Sequence, residues 1–287
     1  MNAGPVSTVT PVIPVMRRML IASAILVLSL SFFLFLFPTR TETLFAWTIA
    51  VPLTAAVLGG SYLASAAMTF VASREEVWAR ARVAVPGVIL FTILTTIVTF
   101  IHIDKFHLGA ANWFTRFVTR VWILVYILDP IAFSYAFVRQ SRLRRVDPPR
   151  LDPLPAWYRG ALAGVGGVML IIGAAMLLAP AAIIPRWPWE LTPLTSRAIG
   201  AWGVGIGFVA LHAVWENDWT RLRGMVISLA LLGVIQLINL LRFPDALDWS
   251  TTAAMLYAGF MVVLAIVGAY GWWRAWRPRA AVAGSAA

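Results

Sequence analysis

Apolar residues run along this chain in eight long blocks, separated by short stretches rich in arginine, proline and glycine. The blocks cover approximately Met19–Phe37, Phe45–Ala72, Val83–Ile103, Val121–Val138, Ala161–Ile184, Ala198–Trp215, Gly224–Leu241 and Thr251–Trp273. A bilayer core about 30 Å thick needs roughly 20 apolar helical residues at 1.5 Å each. Each block reaches or nearly reaches that length, so the pattern predicts an all-α protein with eight transmembrane helices. The second block is long enough to tilt or to bend at Pro52. The first follows Arg17 and Arg18 as a secretory signal would, but it is longer than a signal's apolar core and no small-x-small cleavage site follows Pro38. It reads as an uncleaved span.

Composition agrees with this pattern. The 287 residues are 61% hydrophobic and 12% charged, with a mean hydropathy of +0.83. A soluble domain carries roughly 25% charged residues, so the surface predicted here faces hydrocarbon over much of its area. The net charge of +11 resides in arginines between the apolar blocks rather than on a basic domain, and nucleic acid is not the expected partner. Lys105 is the sole lysine, which reads as the coding bias of a GC-rich bacterium. The chain has no cysteine, which excludes disulfides, thiolate metal sites and cysteine nucleophiles.

The basic residues divide 16 to 7 between the two sides of the predicted bundle, and the richer side holds both chain ends. By the positive-inside rule, both termini are expected in the cytoplasm, with the protein in the plasma or inner membrane.

A shift of 141 residues lays Pro52-Leu53-Thr54 on Pro193-Leu194-Thr195, Gly59 on Gly200 and Asp104 on Asp245. It also lays Glu75, Trp78, Arg80 and Arg82 on Glu216, Trp219, Arg221 and Arg223. A shift of 142 aligns Arg17 with Arg159 and Pro38 with Pro180. The order and near-constant offset predict two tandem four-helix repeats. With an even number of spans, the copies enter the membrane in the same sense and are parallel repeats. The expected division is a disordered tail over 1–16, a first repeat over 17–138 and a basic, proline-rich linker over 139–158, then a second repeat over 159–276 and a disordered tail over 277–287. The linker arginines could hold anionic lipid head groups or serve only as a positive-inside loop. The shared Glu-x-x-Trp-x-Arg-x-Arg segments read as interfacial turns whose charges pair across the loop.

Asp129 is the one acidic or basic residue well inside a span. It lies about ten residues, roughly 15 Å, from Arg139, near the bilayer midplane. A charge at that depth is costly by about 2.5–3.5 kcal/mol and often marks a proton, ion or solute path. Pro130, which follows it, frees a carbonyl one turn earlier. The alternative is a protonated aspartate bonded to a neighbouring helix, or a kink without transport.

Secondary candidates are His212 and Glu216, one turn apart, which with Asp218 could relay a proton or bind a metal, or could be a helix-end ion pair. Gln236, Asn239 and Arg242 form a polar stripe that reads as interhelical bonding or a ligand wall. His102, Asp104 and His107 have metal-binding side chains at a spacing that matches no defined site. Trp187-Pro188-Trp189 suits an aromatic belt or a partner-docking loop. The Gly203-x-Gly205-x-Gly207 and Gly160-x-x-x-Gly164 patterns lie in apolar helices and predict close helix contacts, not nucleotide binding.

No hydrolase, nucleotide or metal signature is present, so neither cofactor nor enzymatic activity is expected. Two function classes remain. One is a small-solute or proton-linked permease with its pathway between the repeats. The other is a non-catalytic membrane subunit or scaffold bound to a protein partner.

Overall fold

The computed structural model describes residues 9–143 and 146–277. Eight long helices form its body: α1 Pro14–Leu36, α2 Pro52–Arg74, α3 Ala84–Ile101, α4 Trp113–Ser141, α5 Ala156–Leu178, α6 Pro193–Glu216, α7 Arg223–Arg242 and α8 Thr252–Ala275. All eight are long and apolar enough to cross a membrane, and the described residues contain isolated bridges but no strand. The chain is a multi-pass integral membrane protein of the all-α class.

Several helix starts follow from proline chemistry. Pro14, Pro52 and Pro193 open α1, α2 and α6, where their missing N–H leaves no intrahelical bond unmade. Pro52 therefore begins α2 rather than bending it, and the helix expected from Phe45 does not form there. Residues 45–51 are instead an irregular segment with Phe45, Ala46, Trp47 and Ile49 buried. Its backbone is satisfied locally. Ile49 N–H donates to Thr41 Oγ1 at 2.9 Å, and His107 N–H donates to the Ala46 carbonyl at 2.9 Å. At the other extreme, α4 begins at Trp113 rather than Val121. Asn112 caps it by accepting from Phe114 N–H at 2.9 Å, and the buried Thr115 and Thr119 hydroxyls donate to the carbonyls of Thr43 and Ala46.

Consecutive helices are antiparallel. Side chains link late positions of one helix to early positions of its neighbour: Trp122 Nε1 donates to Thr99 Oγ1 at 3.1 Å, Ser196 Oγ to the Met176 carbonyl at 3.2 Å, and Arg223 Nε, at the start of α7, to the Ala275 carbonyl at the end of α8 at 3.2 Å. Residues 14 and 275 thus lie at the same, arginine-rich end of the bundle.

The middle of the bundle is made by α2, α3, α6 and α7, with α2 packed on α7 and α3 on α6. Around them, α1 flanks α2, α4 flanks α3, α5 flanks α6 and α8 flanks α7. Burial follows this order: 78% of the apolar window of α2 is buried, against 22% for α4 and α8. The exposed apolar side chains of the outer helices, such as Ile25 and Phe32 on α1 and Leu124 and Ile131 on α4, form a surface suited to lipid.

Between helices in lipid, close packing replaces the hydrophobic drive available in water. Glycine supplies it here. A Cβ on Gly200 would stand 2.7 Å from the Gly173 carbonyl oxygen, and one on Gly233 would stand 2.3 Å from the Ala265 nitrogen. Gly205 and Gly207 make such contacts too, whereas Gly160 and Gly164 face open space and join no helix pair, contrary to the sequence expectation.

The tail expected over residues 1–16 is structured from residue 9. Thr10 and Val12 are buried, Gln140 at the end of α4 accepts from Ile13 N–H at 2.9 Å, and the Trp78 N–H donates to the Thr10 carbonyl at 2.9 Å. The same bond recurs at the linker, where Trp219 N–H donates to the Asp152 carbonyl at 3.0 Å. Residues 1–8, Arg144 and Arg145, and 278–287 lie outside the described residues.

Candidate functional site

Asp129 projects from the middle of α4, 16 residues beyond Trp113 and 12 short of Ser141. At 1.5 Å per residue these are roughly 24 and 18 Å from the two helix ends. The residue is partly exposed on the wall of a cavity with about 40 Å³ of space open to water-sized molecules. That space has room for a few water molecules and is well below the roughly 300–1,000 Å³ of drug-sized ligand sites. The wall is drawn from α1, α2, α3, α4, α6 and α7, so the cavity lies where both halves of the chain meet. Asp129 is its only acidic or basic side chain; the other polar groups are Ser23, Ser65, Thr92, Tyr126, Trp202 and Ser228. No described residue gives the Asp129 carboxylate a hydrogen bond or ion pair, so the neighbouring-helix bond considered from sequence is not made.

Pro130 has the expected local effect. It cannot donate to the Tyr126 carbonyl one turn back, and the Thr96 hydroxyl of α3 shares its proton between that carbonyl and the Thr92 carbonyl of its own helix, 2.7 Å away. The proline thus opens the backbone of α4 next to the cavity while its cost is met by a neighbouring helix. Tyr126 is fixed at its other end, its hydroxyl 2.7 Å from that of Tyr62. Phe91 and Trp202, with ring centroids 4.0 Å apart, add an aromatic face. Thr96, Tyr62 and Trp202 were not singled out from sequence. A proline in an apolar block signals that a donor is needed, but α3 offers Thr92, Thr95, Thr96 and Thr99, and only packing selects among them.

The cavity is one-sided. Under the 141-residue shift Thr92 corresponds to Gly233. At Gly233 and Gly268 the α7 and α8 backbones approach so closely that a Cβ would stand 2.3 Å and 2.1 Å from the neighbouring chain, leaving no counterpart space.

At the arginine-rich end, Glu216 is fully buried. Its Oε1 receives Arg82 Nε, and its Oε2 receives Arg82 NH2 at 2.9 Å and Arg221 NH1 at 2.7 Å. Arg82 also binds Asp147 of the linker, and Arg221 donates to the Pro148 carbonyl at 2.6 Å. His212 Nε2 lies 3.5 Å from Glu216, while Nδ1 is buried without a partner. Burial would lower the Arg82 pKa, but its bonds to Glu216 and Asp147 outweigh that and raise it above its ordinary value. With two guanidinium groups already on the carboxylate, Glu216 is the anchor of an ion-pair cluster. Asp218 does not join it. Its carboxylate accepts from the N–H groups of Leu151, Asp152 and Thr220, fixing the linker on the turn after α6.

The pairing of the two Glu-x-x-Trp-x-Arg-x-Arg segments is crossed. Arg82 of the first reaches Glu216 of the second, while Arg223 of the second lies 3.7 Å from Glu75 of the first. The within-loop pairs expected from sequence form as well, Arg221 to Glu216 at 2.7 Å and Arg80 to Glu75 at 4.0 Å. Burial raises the Glu75 pKa, and Arg223 and Arg80 offset this only in part.

Gln236 and Asn239 face away from the cavity. Their amide nitrogens donate to the carbonyls of Val57 and Ala56 at 2.9 and 3.0 Å, tying α7 to α2 beside Gly60. Arg242 reaches Asn239 Oδ1 at 3.4 Å and lies over the Phe35 ring at 4.6 Å. The stripe is interhelical bonding.

On the opposite end of the bundle the three metal-type residues diverge. His102 Nε2 is 2.8 Å from Arg197 NH1, Asp104 pairs with Lys105 at 2.9 Å, and His107 bonds Phe45 and Thr48. Among the described residues, no group of three or more histidine or acidic side chains is placed to hold a metal ion. Trp189, expected in an exposed loop, is folded in against α2, with its Nε1 donating to Thr54 Oγ1 at 2.9 Å. Neither a protein-family model, nor a curated protein, nor a solved structure matches this chain.

Proposed function

We propose that the protein is a small-solute or proton-linked permease whose pathway passes through the Asp129 cavity between its two halves. The observation that carries this reading is the unpartnered Asp129 carboxylate on the wall of a midmembrane cavity, on a helix interrupted by proline. The cavity wall carries no basic residue, so the ionised carboxylate is suited to accept a proton or a small cation. In this reading Asp129 couples movement to charge, and Pro130 lets α4 bend about the Thr96–Tyr126 contact.

The permease reading includes the tandem duplication. The crossed Glu–Arg pairs, the matching Trp78–Thr10 and Trp219–Asp152 bonds, and the reciprocal packing of α2 on α7 and α3 on α6 support a pseudo-two-fold axis between parallel repeats. The arginine count supports cytoplasmic termini. The scaffold alternative loses the docking surface that sequence suggested, because Trp189 is covered.

The test uses purified protein in vesicles loaded with a pH-sensitive dye and challenged with small amines, amino acids and neutral solutes. At least one solute is expected to drive a proton signal, and Asp129→Asn should abolish it while the protein still inserts and melts as the wild type does. A wild-type signal that persists unchanged in Asp129→Asn defeats the proposal.

A further inference from the structure

The twin Glu-x-x-Trp-x-Arg-x-Arg segments have unlike surroundings. Around Glu216 the arginines are fully engaged by Glu216, Asp147 and the Pro148 carbonyl. Around Glu75 the contacts are long, 3.7 Å to Arg223 and 4.0 Å to Arg80. Arg80 and Arg223 stand instead on the wall of an open pocket of about 340 Å³, together with Arg274 and Arg277. The one acid on that wall, Asp152, is 3.9 Å from Arg274. Glu75, behind the wall, and Asp152 are thus the two carboxylates paired with these four guanidinium groups, which leaves the pocket with an excess of positive charge.

These arginines are held in position. Arg223 Nε donates to the Ala275 carbonyl at 3.2 Å, and its guanidinium lies 5.6 Å from the centre of the Trp276 ring. Arg274 lies 5.5 Å from the Trp219 ring and Arg277 3.5 Å from the Trp273 ring. Stacking uses the face of a guanidinium and leaves N–H edges available for an oxyanion. The pocket opens at the last turn of α8 beside the exposed Trp272, Trp273 and Trp276, an aromatic grouping typical of head-group depth.

We propose that this pocket binds a phosphate group, presented by the head group of an anionic lipid. Phosphate matches the forked donors of several arginines at once, and a basic pocket between helix ends at head-group depth places them where lipid phosphates lie. The site is separate from the Asp129 cavity and does not depend on a transport function.

The full chain in neutral detergent would be titrated with short-chain phosphatidylglycerol, phosphatidylcholine of the same chain length, and inorganic phosphate. Binding would be followed by native mass spectrometry and by melting temperature. Phosphatidylglycerol is expected to bind and raise the melting temperature. The Arg80→Gln/Arg277→Gln double variant is expected to weaken that binding by about tenfold or more. Arg139→Gln, at the same end but off the pocket, should leave it unchanged, and the melting temperature of each lipid-free variant reports whether it is folded. Inorganic phosphate binding that disappears in the double variant supports the phosphate site and assigns it to the free ion as well. Equal binding of both lipids, or phosphatidylglycerol binding that survives in the folded double variant, overturns the proposal.

Discussion

Arg82 and Glu216 are 134 residues apart in the chain and joined at two points, Nε to Oε1 and NH2 to Oε2. The carboxylate is fully buried and the guanidinium side chain is 16% exposed, so neither charge can turn to water if the other is removed. This contact, with Arg221 and Asp147 around it, fastens the α2–α3 turn to the end of α6 and to the linker.

Removing one partner should therefore be costly. Glu216→Gln is expected to destabilise the protein by about 3–5 kcal/mol, the cost of stranding a buried charge. Replacing Arg82, Arg221 and Glu216 together by Met should recover part of that loss, because no buried guanidinium is then left without its carboxylate. Reversible unfolding in mixed detergent would measure both. A Glu216→Gln protein within about 1 kcal/mol of wild type would show that the cluster is wet and weak.

Thr96 and Pro130 should be coupled. Thr96→Val removes the hydroxyl that serves the Tyr126 carbonyl and is expected to cost about 1–3 kcal/mol. In a Pro130→Ala background residue 130 regains its N–H, α4 can make its own bond to Tyr126, and Thr96→Val should cost clearly less. A double-mutant cycle gives the difference. Additive effects would mean that the Thr96 hydroxyl does not serve the carbonyl released by proline.

His102 predicts a pH dependence on the arginine-poor end. Burial, and then the Arg197 charge 2.8 Å away, lower its pKa below the ordinary value of 6.5. A base with a depressed folded pKa binds protons more readily when unfolded. Its contribution to stability is thus present above about pH 6.5 and lost as the pH falls through the folded value. Melting temperature should drop as the pH falls below about 6.5, and His102→Gln should flatten that part of the profile. An unchanged slope in His102→Gln would assign the dependence to other groups.

Much of the helical framework was legible because hydrocarbon imposes a simple requirement on length and polarity. Every apolar block corresponds to a long helix, and Asp129 stood out because ionisable groups are scarce in such blocks. Helix ends were less legible. Phe45–Ile49 is apolar enough to continue α2, yet it is irregular because Thr41 and His107, from other segments, meet its backbone needs. Partners across the bundle were not legible at all. The Glu75 and Glu216 segments each contain acids and arginines suited to pairing locally, and only the packing of α2, α3 and α6 decides that Arg82 crosses over. For Trp189 the sequence leaves an aromatic belt and a docking loop open, and only the Thr54 hydroxyl, which gives its indole N–H a buried partner, shows that it packs inward.

The crossing of Glu75 to Arg223 and Glu216 to Arg82 bears on ancestry. A contact in which each side offers the same acid and the same base to the other is self-complementary under two-fold rotation. Under the proposed duplication, an unfused forerunner of four helices already carried all it needed to assemble with a second copy of itself. Fusion then freed the two copies to diverge, so that one side could keep a hollow around an acid while the other closed on glycine.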